Sequence, residues 1–291
     1  MIFKKYFIYY LVIVFLSNAV ILQSQTFEFE YSTSDDDCLK DVLQTEDGFY
    51  YLVGYSAHPG SDKHVGLVLK VNPHGKLIEE RLVEIPNRTY EIFSIMQDTA
   101  GSIIIAGKTC DTSEAKVNVK LELRRLSYQL ENLDSATYTL DSNRRFGGLG
   151  RHIDSNRISI IGSLYSDFAP IVRSFVFILN TSFDSLKFNH LENFESYQIQ
   201  PLGDTAFWSV GFFAGSTYRM LNSMLESIQT DEVPFITSQC FGLKWDTDTS
   251  FYMAGWTHQK NIGIIRQFHP MESTGYLHNT WGNQDVWDFP A

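Results

Sequence analysis

Short apolar runs alternate with polar, glycine-bearing turns along this chain, and one such run returns. YYLVGYS (50–56) is answered by IIIAGKT (103–109), ISIIGSL (158–164), FWSVGFF (207–213) and FYMAGWT (251–257). Aligned on Gly54, Gly107, Gly162, Gly211 and Gly255, the runs lie 53, 55, 49 and 44 residues apart. Before each comes a polar turn: Asp47-Gly48, Asp98-Thr99-Ala100-Gly101, Asp154-Ser155-Asn156, Gly203-Asp204 and Asp246-Thr247-Asp248. Asp and Asn hydrogen-bond their own backbone two residues on, and Gly accepts a positive φ, so both residue types close hairpins. A further strand is therefore expected before each turn, such as LKDVLQ (39–44) or EIFSIMQ (91–97).

After the glycine come a variable loop and a third strand: VGLVLKVN (65–72), LELRRLS (121–127), SFVFILN (174–180), the shorter YRMLN (218–222) and GIIRQFH (263–269). A second turn and a fourth strand follow, most plainly in KLIEERLVEI (76–85). Four antiparallel strands in each unit of about 50 residues is the pattern of a β-propeller, in which each unit is one blade. An isolated blade cannot bury both faces, so it stacks on its neighbours. The second strand is apolar on both sides because it lies between blades. The recurring glycine marks a place where the strand bends or another backbone comes close. The expected fold is all-β, with blades near 38–85, 90–133, 145–188, 195–229 and 238–281. A β-sandwich is the rival arrangement, but it does not require the same four-strand unit five times.

The repeats resemble those of exported Bacteroidetes β-propellers. The likeness is carried by Asp47-Gly48, Gly54-Tyr55-Ser56, Lys70-Val71-Asn72 and Gly255-Trp256-Thr257. The third and fourth units depart from it, lacking the Asp-Gly turn and the Lys. The resemblance runs over about 27–289 and implies export and a propeller; it supplies no catalytic residues. At its edges the repeat is incomplete. FEFEY (27–31) reads as an outer strand with no blade before it, and 285–291 reads as the start of a sixth unit. The chain is expected to be a truncated propeller, an incomplete ring of five units and one further strand.

The first 24 residues have another purpose. Lys4 and Lys5 precede an apolar run from Tyr6 to Leu16, with Ser17-Asn18-Ala19 beyond it. That order of charged, apolar and small residues describes a secretory signal peptide. Asn18 interrupts the run before it reaches the ~20 apolar residues of a membrane span. No span is expected once the signal is removed. Loss of Lys4 and Lys5 takes the net charge from −11 to −13, since 1–24 holds no Asp or Glu. So acidic a chain is a poor match for a phosphate backbone, and no nucleic-acid partner is expected. The three cysteines, Cys38, Cys110 and Cys240, are too dispersed for a disulfide framework or a zinc site.

Chemistry-bearing motifs are sparse. The eight histidines stand singly, with no His-Glu-x-x-His, and no Gly-x-Ser-x-Gly elbow occurs. Asp246-Thr247-Asp248 offers two carboxylates, too few for Ca²⁺, so neither metal nor cofactor is expected. RRFGGLGR (144–151) is the one basic, Gly-rich stretch, and makes Arg144, Arg145 and Arg151 a candidate anion site in the channel. The loops after the second and fourth strands should build one face, carrying Tyr55, His58, Lys108, Tyr165, Trp256 and His258. Aromatics among single polar groups suit a glycan or a peptide. The expected role is an exported binding, display or structural module. The alternative is a propeller glycosidase, which needs two or three carboxylates converging from separate blades.

Overall fold

The computed structural model describes residues 29–31, 33, 36–57, 63–111, 118–140, 144–153, 157–166, 172–192, 195–202, 206–212, 216–222, 224–232, 240–247, 250–257, 262–269, 274–283 and 287–288. Residues 1–24, expected to be a signal peptide, lie outside them. Strands β1 (Asp37–Gln44), β2 (Tyr50–Ala57), β3 (His64–Val71) and β4 (Leu77–Val83) form the first sheet. The second holds β5 (Arg88–Gln97), β6 (Ile103–Asp111), β7 (Lys120–Leu126) and β8 (Asn132–Thr139). The third holds β9 (Arg144–Ile153), β10 (Arg157–Ser166), β11 (Val172–Asn180) and β12 (Ser185–Glu192). The fourth holds β13 (Glu195–Leu202), β14 (Ala206–Phe212), β15 (Ser216–Asn222) and β16 (Ser227–Glu232). The fifth is β17 (Cys240–Thr247), β18 (Ser250–Thr257), β19 (Ile262–His269), β20 (Thr274–Asn283) and the short β21 (Trp287–Asp288). Every sheet is an antiparallel meander in chain order.

Close approach at the recurring glycine shapes the inner strands of the first two sheets. Gly54 pairs with Leu39 and Gly107 with Ile92, and the pairing register slips by one residue just beyond. A Cβ built on Gly54 would sit 1.8 Å from the Cys38 carbonyl oxygen, and one on Gly107 2.3 Å from that of Glu91. Only a residue without a side chain lets the bulged inner strand lie that near.

Consecutive sheets share cores. Tyr51, Val53 and Val68 of the first sheet meet Tyr90, Ile92, Ile95, Ile103 and Ile105 of the second. Ile104, Ala106, Leu121 and Leu123 meet Ile158, Ile160, Phe175 and Phe177 of the third. Ile161, Val176 and Ile178 then meet Ile199, Phe207 and Leu221 of the fourth. β6 thus alternates between two cores, Ile103 and Ile105 to one side and Ile104 and Ala106 to the other, as a strand's two-residue period requires.

The turn between the third and fourth strands adds a directional joint. In four sheets its first residue accepts two backbone N–H groups: Asn72 from His74 and Lys76, Ser127 from Gln129 and Glu131, Asn180 from Ser182 and Asp184, Asn222 from Met224 and Glu226. These bonds hold the fourth residue of the turn at positive φ: Gly75 (81°), Leu130 (57°), Phe183 (65°) and Leu225 (64°). A bulky side chain rarely adopts that conformation. Here burial offsets the strain, because Leu130, Phe183 and Leu225 each enter the core shared with the preceding sheet. Hydrogen bonds from the preceding sheet hold the same turns: Tyr51 Oη and Lys70 Nζ to the Tyr128 carbonyl, Tyr138 Oη to that of Phe183, and Asn189 Nδ2 to that of Leu225.

At the ends the arrangement changes. The first sheet has Gly75 where the second, third and fourth have an apolar wedge; on its far face Val42 (53%) and Leu82 (46%) are exposed while Leu67 and Leu69 are buried. Among the described residues, no strand of the fifth sheet packs on the first as neighbouring sheets pack on each other. Residues 285–291 were expected to begin a sixth unit. Of these, Trp287 and Asp288 pair with Asn283 and Gly282, adding a strand to the outer edge of the fifth sheet rather than standing apart. Of FEFEY, residues 29–31 belong to no strand, and Tyr31 lies beside Glu80 of β4.

Gly54→Ala and Gly107→Ala are each expected to destabilise the protein by about 2–4 kcal/mol, since backbone must move to admit the methyl group. Leu130→Ala should cost about 2–4 kcal/mol through the lost wedge. Urea midpoints against the parent chain check all three, and a shift under about 0.5 kcal/mol would contradict the packing described.

Candidate functional site

The glycine that admits the bulge also sets the next residue. Tyr55 follows Gly54 on β2 and pairs with Cys38, while Lys108 follows Gly107 on β6 and pairs with Glu91 of β5. Both lie at the end of the sheets where the second strands leave for their loops. His64 opens β3 at that same end, opposite Ala57.

These side chains form one continuous cluster across the first two sheets. The Tyr55 ring stacks on the His64 imidazole, centroids 4.6 Å apart and planes 7° from parallel. His64 Nδ1 is 3.0 Å from Glu91 Oε1, and Lys108 Nζ is 3.1 Å from Glu91 Oε2. Side-chain exposures of 22%, 11% and 16% for His64, Glu91 and Lys108 place this carboxylate bridge mostly out of water. Such shielding strengthens the ion pair and fixes its geometry. Phe93 lies beneath two cations: Lys108 Nζ and Lys40 Nζ are each 5.9 Å from its ring centre, and Lys40 is also 5.5 Å from that of Tyr55. These separations fall within cation–π range.

Burial pushes the Tyr55 hydroxyl up to about 12, assisted by Cys38, Glu91 and Asp36 nearby. Tyr55 is therefore a neutral hydroxyl at any ordinary pH. The cluster offers aromatic faces, a fixed carboxylate and two ammonium groups.

Two of the residues expected from the sequence, Tyr55 and Lys108, come together here. Tyr165 lies on β10, paired with Arg145 and Val172, and Trp256 on β18, paired with Gly263. Only their backbone positions are described, and His58 and His258 lie outside the described residues. Arg144, Arg145 and Arg151 all fall on inner strand β9, opposite Ser166, Tyr165 and Ile160. Arg145 and Arg151 are six residues apart, about 20 Å along an extended strand, so the strand itself does not gather the three. Sequence reading missed His64, Glu91, Phe93 and Lys40. Glu91 was within reach, because closing the hairpin over Gly107 sets it opposite Lys108. Among the described residues no group of three or more His, Cys, Asp or Glu is placed to hold a metal ion.

No known family description and no curated protein sequence matches this chain. Solved structures do match. The Dos1 propeller aligns with a TM-score of 0.53 at 10% identity, over 83% of this chain and 59% of that one. The chain is folded as a β-propeller. A protein of unknown function from Bacteroides caccae aligns with a TM-score of 0.52 at 10% identity, over 81% of this chain and 74% of its own. A GH43 β-1,3-galactosidase solved with galactodeoxynojirimycin aligns with a TM-score of 0.51 at 9% identity, over 81% and 92%. At such identities the likeness is one of fold. The sheets are its blades, and the cluster spans the first two, drawing on β1, β2 and β3 of one and β5 and β6 of the other.

The tyrosines give a pH test. Burial raises Tyr31 and Tyr55 to about 12 from an ordinary 10.0, Tyr31 with help from Glu80. A pKa higher in the folded than in the unfolded chain means stability that is complete below pH 10 and lost as pH rises through 12. Spectrophotometric titration should show these phenols ionising late, and Tyr55→Phe should remove part of the late step. A parent titration complete near pH 10 would contradict the buried setting of Tyr55.

Proposed function

We propose that this propeller is an exported, non-catalytic binding or display module that contacts a glycan or a peptide at the loop end of its blades. The observation that carries this reading is the Tyr55–His64–Glu91–Lys108 cluster, where stacked rings sit beside pre-oriented charges at the edge of two blades. Aromatic surface with a few fixed polar groups is the usual make-up of small-ligand sites. Tyr165 and Trp256, at or near the ends of the corresponding second strands, would extend the same rim onto the third and fifth blades. Export rests on Lys4, Lys5 and the apolar run to Leu16.

Glycan and peptide arrays probed with the purified protein test the reading. Lys108→Ala and Trp256→Ala should each weaken a captured ligand about ten-fold while secondary structure is retained. Capture unaffected by both changes would remove the loop end from the site. Hydrolysis of a captured oligosaccharide would replace this reading with that of a glycoside-acting enzyme, and no capture on any array would leave a structural spacer. Amino-terminal sequencing of protein from its native host should find a start between Val20 and Phe27. An intact Met1 would overturn export by signal peptide.

A further inference from the structure

In four of the five blades the inner strand carries one unpaired residue at the same register position. Lys40, Phe93, Tyr197 and Phe241 each lie where the pairing slips, directly after the residue opposite the recurring glycine. Those pairs are Leu39–Gly54, Ile92–Gly107, Ser196–Gly211 and Cys240–Gly255. In the third blade the slip falls at Gly147, between Phe146 and Gly148, so that strand contributes no side chain. A bulge re-aims the extra residue and tends to occur beside functional sites. The two bulged residues whose side chains are described already meet across blades, Lys40 over Phe93 at 5.9 Å. One cation and three aromatic residues therefore stand at matching positions on four of the five inner strands, the strands nearest the axis of a propeller.

We propose that these bulged residues form a ligand-binding belt about the propeller axis, and that the ligand is an acidic glycan. The aromatic members serve as platforms for sugar rings, and Lys40 is the partner of a sugar carboxylate. This rests on the binding-module reading and names its ligand. Three observations lead to it. Sugar rings present apolar C–H faces that lie against aromatic side chains, and the belt repeats an aromatic residue at one height. Lys108 already has Glu91 as its counter-ion, whereas Lys40 is exposed and has no ion pair among the described residues. The chain carries a net charge of −11, so an ammonium group on an inner strand with no ion pair among the described residues stands out against that charge. A ring stacked on Phe93 would bring its carboxylate within reach of that group.

A panel of uronic-acid oligosaccharides, each paired with its carboxyl-reduced counterpart, tests the belt by titration against the full chain. The parent should bind the acidic member about ten-fold more tightly than the reduced one, and added salt should close that gap. Lys40→Gln should bring the two affinities within about two-fold while leaving the reduced sugar bound as before. Tyr197→Leu, confirmed folded by circular dichroism, should weaken both forms. Equal binding of acidic and reduced sugars by the parent would overturn the assignment, as would a preference that survives Lys40→Gln. Binding of a peptide with no uronic-acid sugar bound would overturn the belt and leave the binding-module reading in place. No ligand of any kind would overturn both.

Discussion

Everything in this molecule is arranged around a backbone carbonyl lying where a side chain would otherwise be. The Cys38 and Glu91 carbonyls press onto Gly54 and Gly107 so closely that even a methyl group is excluded. That contact lets the inner strands of the first two blades bulge, and the bulge sets each strand's curvature and twist. It also decides which residues face the next blade and which are released from the pairing. A side chain at the glycine would push the two strands apart and erase the bulge. The core beyond it, where Tyr90 and Ile92 pack on Val53 and Tyr51, would then lose its register.

A second constraint gives the stack a direction. Leu130, Phe183 and Leu225 hold an unfavourable positive φ, and each reaches back into the preceding blade. The joints are asymmetric: one blade supplies a turn and the other supplies a core and a capping hydrogen bond. Gly75 in the first blade follows the same logic from the other side. There the turn takes the residue that adopts positive φ without strain. Stability in such an array depends on each interface between neighbours as well as on each blade alone. A weakened joint should therefore loosen the two blades it connects before the rest.

Much of this was legible in the sequence because it rests on short-range pattern. Two-residue alternation, a turn with Asp or Asn, and a glycine at near-constant spacing locate the strands to within a few residues. The inner strands were the least visible, because a bulge breaks alternation: Leu39, Lys40 and Asp41 read as disorder in the pattern until their pairing is known. The wedges were hidden for a similar reason, since nothing about Leu130 or Phe183 in sequence announces a positive φ. Of the candidate site, Tyr55 and Lys108 could be found from the glycines they follow. His64 and Lys40 could not, because they join the cluster by the packing of one blade on another. Separation along the chain carries no information about that contact. The Asp285–Phe289 stretch looked like an inner strand from its composition, yet Trp287 and Asp288 lie on the outer edge of the fifth sheet. Hydrogen bonding to an available edge is open to almost any residue type.

The location of the cluster has a consequence for how binding and stability are linked. Glu91 comes from one blade and His64 from the other, so the carboxylate bridge exists only while the two blades are docked. A ligand held between Tyr55 on the first blade and Lys108 on the second would bind the docked arrangement and not the separated one. By mass action it would then stabilise the joint that Leu130 wedges. On the proposed binding role the reverse also holds, because a shift of the Leu130 turn would move Phe93 and Glu91 relative to Tyr55 and weaken that binding without touching the ligand. Site and joint are therefore two aspects of one interface. The glycine contact sits beneath both, since it positions the inner strands from which Lys40, Glu91 and Phe93 project.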